Sequence, residues 1–216
     1  MPIALALMLN ALRFPKLRKA CQSILYMPYF ISVTVMVGII FQLFTPRIGL
    51  LSNLYGVFSN GGEMPNIFLR AAAFPHLYVW SGVWQGMGWG TVIYTAALAG
   101  VDPTLHEVAT LVGASRLQRI CHIDLPGILP TISITLILRF GSVMNIGFDK
   151  VFLMQNDANL IPSEVISTYV YKVGLASSSL NYSYSTAIGL LNSVIGLVML
   201  ALMNFLCRRL NQSSLW

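Results

Sequence analysis

Glu107-Val-Ala-Thr-Leu-Val-Gly113, followed after nine residues by Ile123-Asp-Leu125-Pro126, is the stretch whose residue types and spacing can do specific work. Catalysis is not that work. The sequence has no CxxC, no HExxH and no Gly-rich phosphate loop, and His106-Glu107 lacks the second histidine of a zinc helix. No catalytic residue, metal site or cofactor is expected. What the stretch offers is recognition. Leu105, Val108, Ala109 and Val112 stand at i, i+3, i+4 and i+7, which gathers them on one side of a helix. Glu107 puts a charge on the rim of that face, and Gly113 permits the tight or left-handed backbone that turns one short helix into the next. The Leu-Pro step sets the angle at which the segment joins the next apolar run. The expected object is a rigid knob, about residues 101–126, that seats in a groove on a soluble partner. The alternative is an ordinary loop carrying amphipathic surface helices.

The elements around the knob are apolar. Hydrophobic residues are 56% of the 216 and charged residues 9%, with a mean hydropathy of +0.72. A soluble domain carries roughly 25% charged residues, so this composition defines an integral, helical membrane protein. At roughly 20 residues per span the chain accommodates about four to six helices.

Full-length apolar runs are read at 24–44, 76–100, about 128–147 and about 183–206. Residues 1–12 are apolar but too short to span. Positive charges come after this run rather than before it, and no small-residue cleavage site appears, which argues against a signal peptide. They read as the cytoplasmic half of a span whose beginning is missing. Residues 45–75 carry external turn chemistry (Pro46, Gly49, Gly56, Gly61, Gly62, Pro65, Pro75) with room for a short surface helix. Residues 148–182 read as a second polar external segment. Asp102-Pro103 starts a helix as N-cap and first turn, Gly113 ends it, and Ser115 caps a second helix running to about His122. Leu125-Pro126 and Pro130 mark the start of the 128–147 span. The whole chain, 1–216, reads as a single transmembrane domain without internal repeats.

Charge supports this topology. Of the thirteen Lys and Arg, eight (13, 16, 18, 19, 116, 119, 208, 209) fall in segments assigned to the cytoplasm and four (47, 70, 150, 172) in external ones, with Arg139 inside a span. The net charge of +6 therefore reflects a positive-inside bias, and no soluble domain is present to carry a nucleic-acid face. Cys21, Cys121 and Cys207 lie beside the basic loops without metal-ligand spacing and read as reduced apolar fillers.

Two further patterns matter. Within 128–147, Thr131, Thr135, Arg139, Ser142 and Asn145 fall within about 120° of one another at 3.6 residues per turn. An arginine facing lipid costs roughly 2.5–3.5 kcal/mol, so this stripe reads either as the lining of a polar solute pathway or as a structural site in which Arg139 snorkels or pairs with an acid such as Asp149. Gly82, Gly86 and Gly90, and Ser185, Gly189, Ser193 and Gly196, form small-residue stripes that let helices approach closely. The external Tyr169, Tyr171, Tyr182 and Tyr184 fit a membrane interface or a surface that stacks on a ligand or meets a protein partner.

The spacing Glu-x-Ala-x3-Gly-x9-Ile-x-Leu-Pro resembles the EAA loop of ABC-importer permeases. The segments Leu-Ala-Gly-Val-Asp-Pro-Thr-Leu (98–105), Gly-Ala-Ser-Arg-Leu-Gln-Arg-Ile (113–120), His-Ile-Asp-Leu-Pro-Gly-Ile-Leu-Pro-Thr-Ile (122–132), Ile-Ser-Thr-Tyr-Val-Tyr-Lys-Val-Gly-Leu (166–175) and the terminal Ser-Leu-Trp (214–216) extend that resemblance to carbohydrate-type permeases of the maltose-importer superfamily, in the lipoprotein or polysaccharide permease subgroup. The resemblance implies an all-α, polytopic bundle of the ABC-importer permease type. Here it would have about four full spans and one partial N-terminal span, against the usual six, as in an N-terminally truncated permease. It implies that Glu107, Ala109, Gly113, Ile123, Leu125 and Pro126 form the coupling loop to a cytoplasmic ABC ATPase dimer. It also implies a second permease subunit, an extracytoplasmic solute-binding protein, and a multi-pass location in a prokaryotic cytoplasmic membrane with the C-terminus inside. Val108 replaces the motif's usual first alanine, and Val112 an aspartate often found before the glycine. The expected function is transport of a sugar or oligosaccharide, with a non-sugar solute, a non-transporting scaffold and a membrane hydrolase as the rival readings.

Overall fold

The computed structural model describes residues 1–12, 14–59, 62–177 and 180–209. Arg13, Gly61 and the terminal Ser-Leu-Trp lie outside the described residues. The helices are α1 (Pro2–Asn10), α2 (Pro15–Tyr26), α3 (Val33–Phe44), α4 (Leu50–Phe58), α5 (Ala73–Met87), α6 (Thr91–Ala99), α7 (Pro103–Leu111), α8 (Arg116–Arg119), α9 (Leu125–Gly127), α10 (Leu129–Gly141), α11 (Phe148–Met154), α12 (Leu160–Ser163), α13 (Ile166–Tyr171) and α14 (Tyr182–Arg209).

All four expected apolar runs are helical, but only the last is one uninterrupted helix. The run 24–44 breaks because Pro28 has no N–H to donate. The chain tightens to a 3-10 turn at Met27–Phe30, and Ser32 then caps α3 by accepting from the Val35 N–H at 3.3 Å. The run 76–100 breaks at 88–90, amid three closely spaced glycines. The run 128–147 is helical only to Gly141, with Ser142 at its C-terminal cap. Among the described residues α14 alone is long and apolar enough to cross a membrane. The α2 and α3 helices, and the Arg116–Gly127 helix with α10, reach that measure when each pair counts as one span. In the first segment expected to be external, α4 is the short helix for which turn chemistry left room, whereas the second holds more helix than expected, α11 to α13.

The chain forms two compact units. In the first (1–30, 83–144, 194–216), α1 lies along α6, and Ala6, Leu98 and Ile128 are fully or almost fully buried among Ile3, Leu7, Tyr94 and Ile132. Small residues permit close approach here: a Cβ at Gly127 would meet Val101 at 2.8 Å, and one at Gly196 would meet the Gly141 carbonyl at 3.0 Å. In the second unit (31–82, 145–193), α3 packs on α11, and Val37, Phe74, Val151 and Met154 form the core, with Phe41 against Phe68 at 4.3 Å between ring centroids. Lys150 is buried there; its ammonium donates to the Tyr78 carbonyl at 3.0 Å and lies over the Tyr78 ring. Outside these cores the long apolar side chains of α14, including Leu190, Leu197 and Leu202, are exposed, as lipid-facing residues are.

Candidate functional site

The knob takes shape from local signals. Asp102 Oδ1 accepts from the Thr104 N–H at 2.9 Å, and Pro103 supplies a preset φ at the first helical position. The Thr104 N–H holds the Asp102 carboxyl below its usual range. After Leu111 the chain reverses through Gly113 at φ +82°, the left-handed region that glycine enters without a steric cost. The Ala114 N–H then donates to the Ala109 carbonyl at 2.9 Å. Ser115 and Gln118 form a reciprocal capping box: the Gln118 side chain accepts from the Ser115 N–H at 2.8 Å, and Ser115 Oγ accepts from the Gln118 N–H at 3.4 Å.

The second arm is longer than the sequence predicts. Instead of ending near His122 it widens into a π turn at Ile120–Asp124 and continues as α9 to Gly127. The π turn lies just before Pro126, where a proline ring crowds the carbonyl four residues back. Leu125-Pro126 is thus inside the arm. The change of direction falls at buried Ile128, where the Arg116–Gly127 helix meets α10 at 60°.

Several of the sequence-predicted docking residues come together here. Ala109, Gly113 and Ile123 line one cavity of about 440 Å³ with Val112, Gln118 and His122. Glu107 is exposed and borders a neighbouring hollow with Leu111 and Arg119. Leu125 is half-buried and Pro126 exposed, and neither borders these spaces. Leu105, Val108 and Val112 form an exposed apolar face, whereas Ala109 is half-buried. The apex also includes Leu111 and Leu117, 88% and 74% exposed, which periodicity does not select because they flank the turn rather than repeat along one helix.

Two polar contacts brace the arms. Arg119 Nη1 donates to Thr110 Oγ1 at 3.0 Å, and His106 Nε2 lies 3.2 Å from Asp124 Oδ1. Asp124 is only 5% exposed, yet its Oδ1 receives no directed hydrogen bond among the described residues. The imidazole therefore approaches off the N–H axis.

The pathway stripe is less coherent. Thr131 and Thr135 are half-buried on α10, and Thr135 Oγ1 shares a hydrogen bond with Tyr94 Oη at 2.8 Å. Arg139 is exposed in the last turn, and Ser142, past the helix end, donates to the Arg139 carbonyl at 3.2 Å. Asn145 lies in the second unit and accepts from Asn192 Nδ2 at 3.2 Å. Helical-face geometry therefore unites Thr131, Thr135 and Arg139 only.

Sequence reasoning misses a group of aromatics at the two helix breaks of the first unit. The Tyr29 and Trp89 rings stack, with centroids 4.8 Å apart and planes at 8°, while Tyr26 and Phe30 meet Trp89 edge-on. Phe30, Tyr29 and Trp89 are all exposed. The signal for them is Trp89 among glycines and three aromatics around Pro28. In the second unit Tyr171 and Tyr182 line an apolar pocket of about 530 Å³ with Phe148 and Ile166. Among the described residues no cluster of His, Cys, Asp or Glu is arranged to hold a metal ion.

Apolar broken helices with exposed lipid-type surfaces and a polar braced knob define a polytopic membrane protein of the permease type. The chain belongs to the family of binding-protein-dependent transport system inner membrane components, whose model matches residues 2–212. It is 39% identical to Protein LplB of Bacillus subtilis (strain 168) over 215 residues, covering 100% of this chain and 66% of that protein. It is 38% identical to the polygalacturonan/rhamnogalacturonan transport system permease protein YteP of the same organism, with the same coverage. The chain thus spans about two thirds of the length of these curated relatives. Its fold matches a chain in the crystal structure of a bacterial alginate ABC transporter in complex with alginate pentasaccharide-bound periplasmic protein, with a TM-score of 0.93 and 33% identity over 99% of this chain and 73% of that one. That membership gives the chain an all-α permease fold and a multi-pass place in the cell membrane.

Proposed function

We propose that this chain is a permease subunit of a binding-protein-dependent ABC importer that moves an oligosaccharide across the cytoplasmic membrane of a prokaryote. The braced knob carries the reading. An exposed apolar apex rimmed by Glu107 is suited to a groove on a cytoplasmic ATPase dimer. On this reading Glu107, Ala109, Gly113, Ile123, Leu125 and Pro126 belong to the docking segment, residues 1–216 act as one permease domain, and the C-terminus at Arg208-Arg209 faces the cytoplasm. A solute-binding protein delivers the substrate from outside, and a second permease completes the pathway. The chain itself does no chemistry; ATP is hydrolysed by the partner.

Substrate class rests on the relatives and on two kinds of surface. Similar proteins are named for polygalacturonan/rhamnogalacturonan and alginate, and others, at 28% and 25% identity, for arabinooligosaccharides and sn-glycerol-3-phosphate. Stacked Tyr29 and Trp89, at breaks in apolar runs, present the flat faces that sugar rings pack on, and interrupted membrane helices are where transporters place substrate. Thr131, Thr135 and Arg139 add hydroxyl and guanidinium groups on α10, and Ser142 adds a hydroxyl just past its end.

Reconstituting the full chain in proteoliposomes with its cognate ATPase, partner permease and binding protein tests the reading. Substrate-loaded binding protein should stimulate ATP hydrolysis, and Glu107→Lys should abolish that stimulation by placing a cation on the rim. An unchanged rate in the variant would sink the docking assignment.

A further inference from the structure

We infer that the His106–Asp124 contact is the brace through which the knob moves α10, which makes Asp124 a positioning residue for coupling. The inference rests on the docking function proposed above.

A load applied to α7 can reach α10 along the backbone only by way of the Gly113 turn. That turn is a poor lever. Its backbone is left-handed, and a Cβ built there would meet nothing within 4 Å, so only its own backbone hydrogen bonds, and no packed side chain, stiffen it. Without cross-bracing, α7 would swivel. The Arg119–Thr110 bond braces the arms near the apex but is exposed to water. The His106–Asp124 contact braces them at the base, with Asp124 buried. Four residues beyond Asp124 comes Ile128, fully buried among α1 and α6 residues, and Gly127 lies tight against Val101. Asp124 thus stands between the part that is pushed and the seated foot of α10.

Asp124 Oδ1 receives no directed N–H among the described residues, so removing the imidazole 3.2 Å away would leave a buried carboxyl oxygen with less to answer it. The contact forms part of the wall of a cavity of about 530 Å³, which gives water access. Arg116 and Arg119 of α8 border the same cavity, and Asn10, at the end of α1, lines it with Ala11 and Leu12. Nearby, Glu107 borders a different hollow and His122 Nδ1 lies against the Gln118 carbonyl.

The test measures substrate transported per ATP hydrolysed by the reconstituted complex. His106→Gln and Asp124→Asn should each lower that ratio by roughly two- to fivefold, the scale of a polar contact partly open to water, and the double variant should be no worse than either. The exchange His106→Asp with Asp124→His should restore the ratio. Wild-type ratios in both single variants, or additive single effects, would overturn the brace. Should Asp124→Asn fail to assemble, His106→Gln, on the half-buried partner, carries the test. Glu107→Lys in the same assay separates the two ideas. If it leaves stimulation intact, docking itself is wrong. If it abolishes stimulation while His106→Gln and Asp124→Asn retain the wild-type ratio, only the brace fails.

Discussion

The docking knob and the aromatic helix breaks belong to the same compact unit, yet they are built on opposite principles. The knob is assembled from neighbours in sequence: Asp102 caps α7, Gly113 turns the chain, and Ser115 with Gln118 starts the second arm. The breaks depend on residues far apart. Trp89 finds its stacking partner sixty residues earlier in the chain, and Gly88 is bare so that the Leu25 carbonyl can lie against it. Local construction gives a part that can be pushed as a body. Non-local construction gives a surface that changes whenever its helices shift, which on the proposed function would suit a transport pathway.

The largest effect is therefore expected at Gly88. A methyl group there would overlap the Leu25 carbonyl oxygen, a backbone atom that cannot swing aside like a side-chain tip. Gly88→Ala should separate α2 from the break and abolish recovery of intact complex in a detergent-extraction and size-exclusion assay. Gly86→Ala, two residues away, meets nothing within 4 Å and should be recovered like wild type. Equal recovery of the two variants would remove the non-local account of this region.

Next is Trp89→Ala, which leaves the backbone alone and removes the stacking face. Aromatic stacking is worth about 0.5–1.5 kcal/mol beyond area burial, so half-saturation for transported oligosaccharide should rise by roughly two- to tenfold. ATPase stimulation at saturating substrate should change little, and Trp89→Phe should retain most of the affinity. If substrate dependence is untouched, the aromatics only pack helices.

This contrast explains what the sequence discloses. The caps, the proline and the glycine of the knob act within four residues of themselves, so their spacing carries their geometry. The π turn at Ile120–Asp124 is hidden because Ile-Cys-His-Ile-Asp has no breaker of its own; Pro126 acts on it from downstream. Leu125-Pro126 reads as the junction only because the residue that turns the chain, Ile128, is an ordinary apolar side chain whose burial alone marks it. Hydropathy places all four runs but not their breaks, since a window average is indifferent to Pro28 or to three glycines among tryptophans. The pathway stripe fails in part for a related reason: a face argument presumes a helix, and α10 stops at Gly141, before Ser142 and Asn145.

A separate effect, on ATPase stimulation rather than on substrate affinity, is expected at the turn of the knob. Gly113→Ala places a Cβ in the left-handed region at a cost of about 1–2 kcal/mol, and open space around it means that no clash adds to this. The knob should still form but populate its docking geometry less, lowering ATPase stimulation by roughly five- to thirtyfold if the turn relaxes fully. Gly100→Ala, in ordinary right-handed backbone, serves as the control.

The smallest effect is an acid fraying of α7. The Thr104 N–H holds the Asp102 carboxyl below its usual range, so the cap contributes stability above the pKa of the unfolded chain and loses it as pH falls through the lowered folded value. Amide exchange at Thr104 and Leu105, corrected for the intrinsic pH dependence of exchange, should accelerate only at the acid end. Asp102→Asn keeps an oxygen for the Thr104 N–H and removes the titration, so its corrected exchange should be flat. Because this group is fully exposed, salt should also shrink the difference between the two proteins. If the asparagine variant frays with the same acid profile, the start of the knob is held by something other than its cap, and the local account of this region loses its first element.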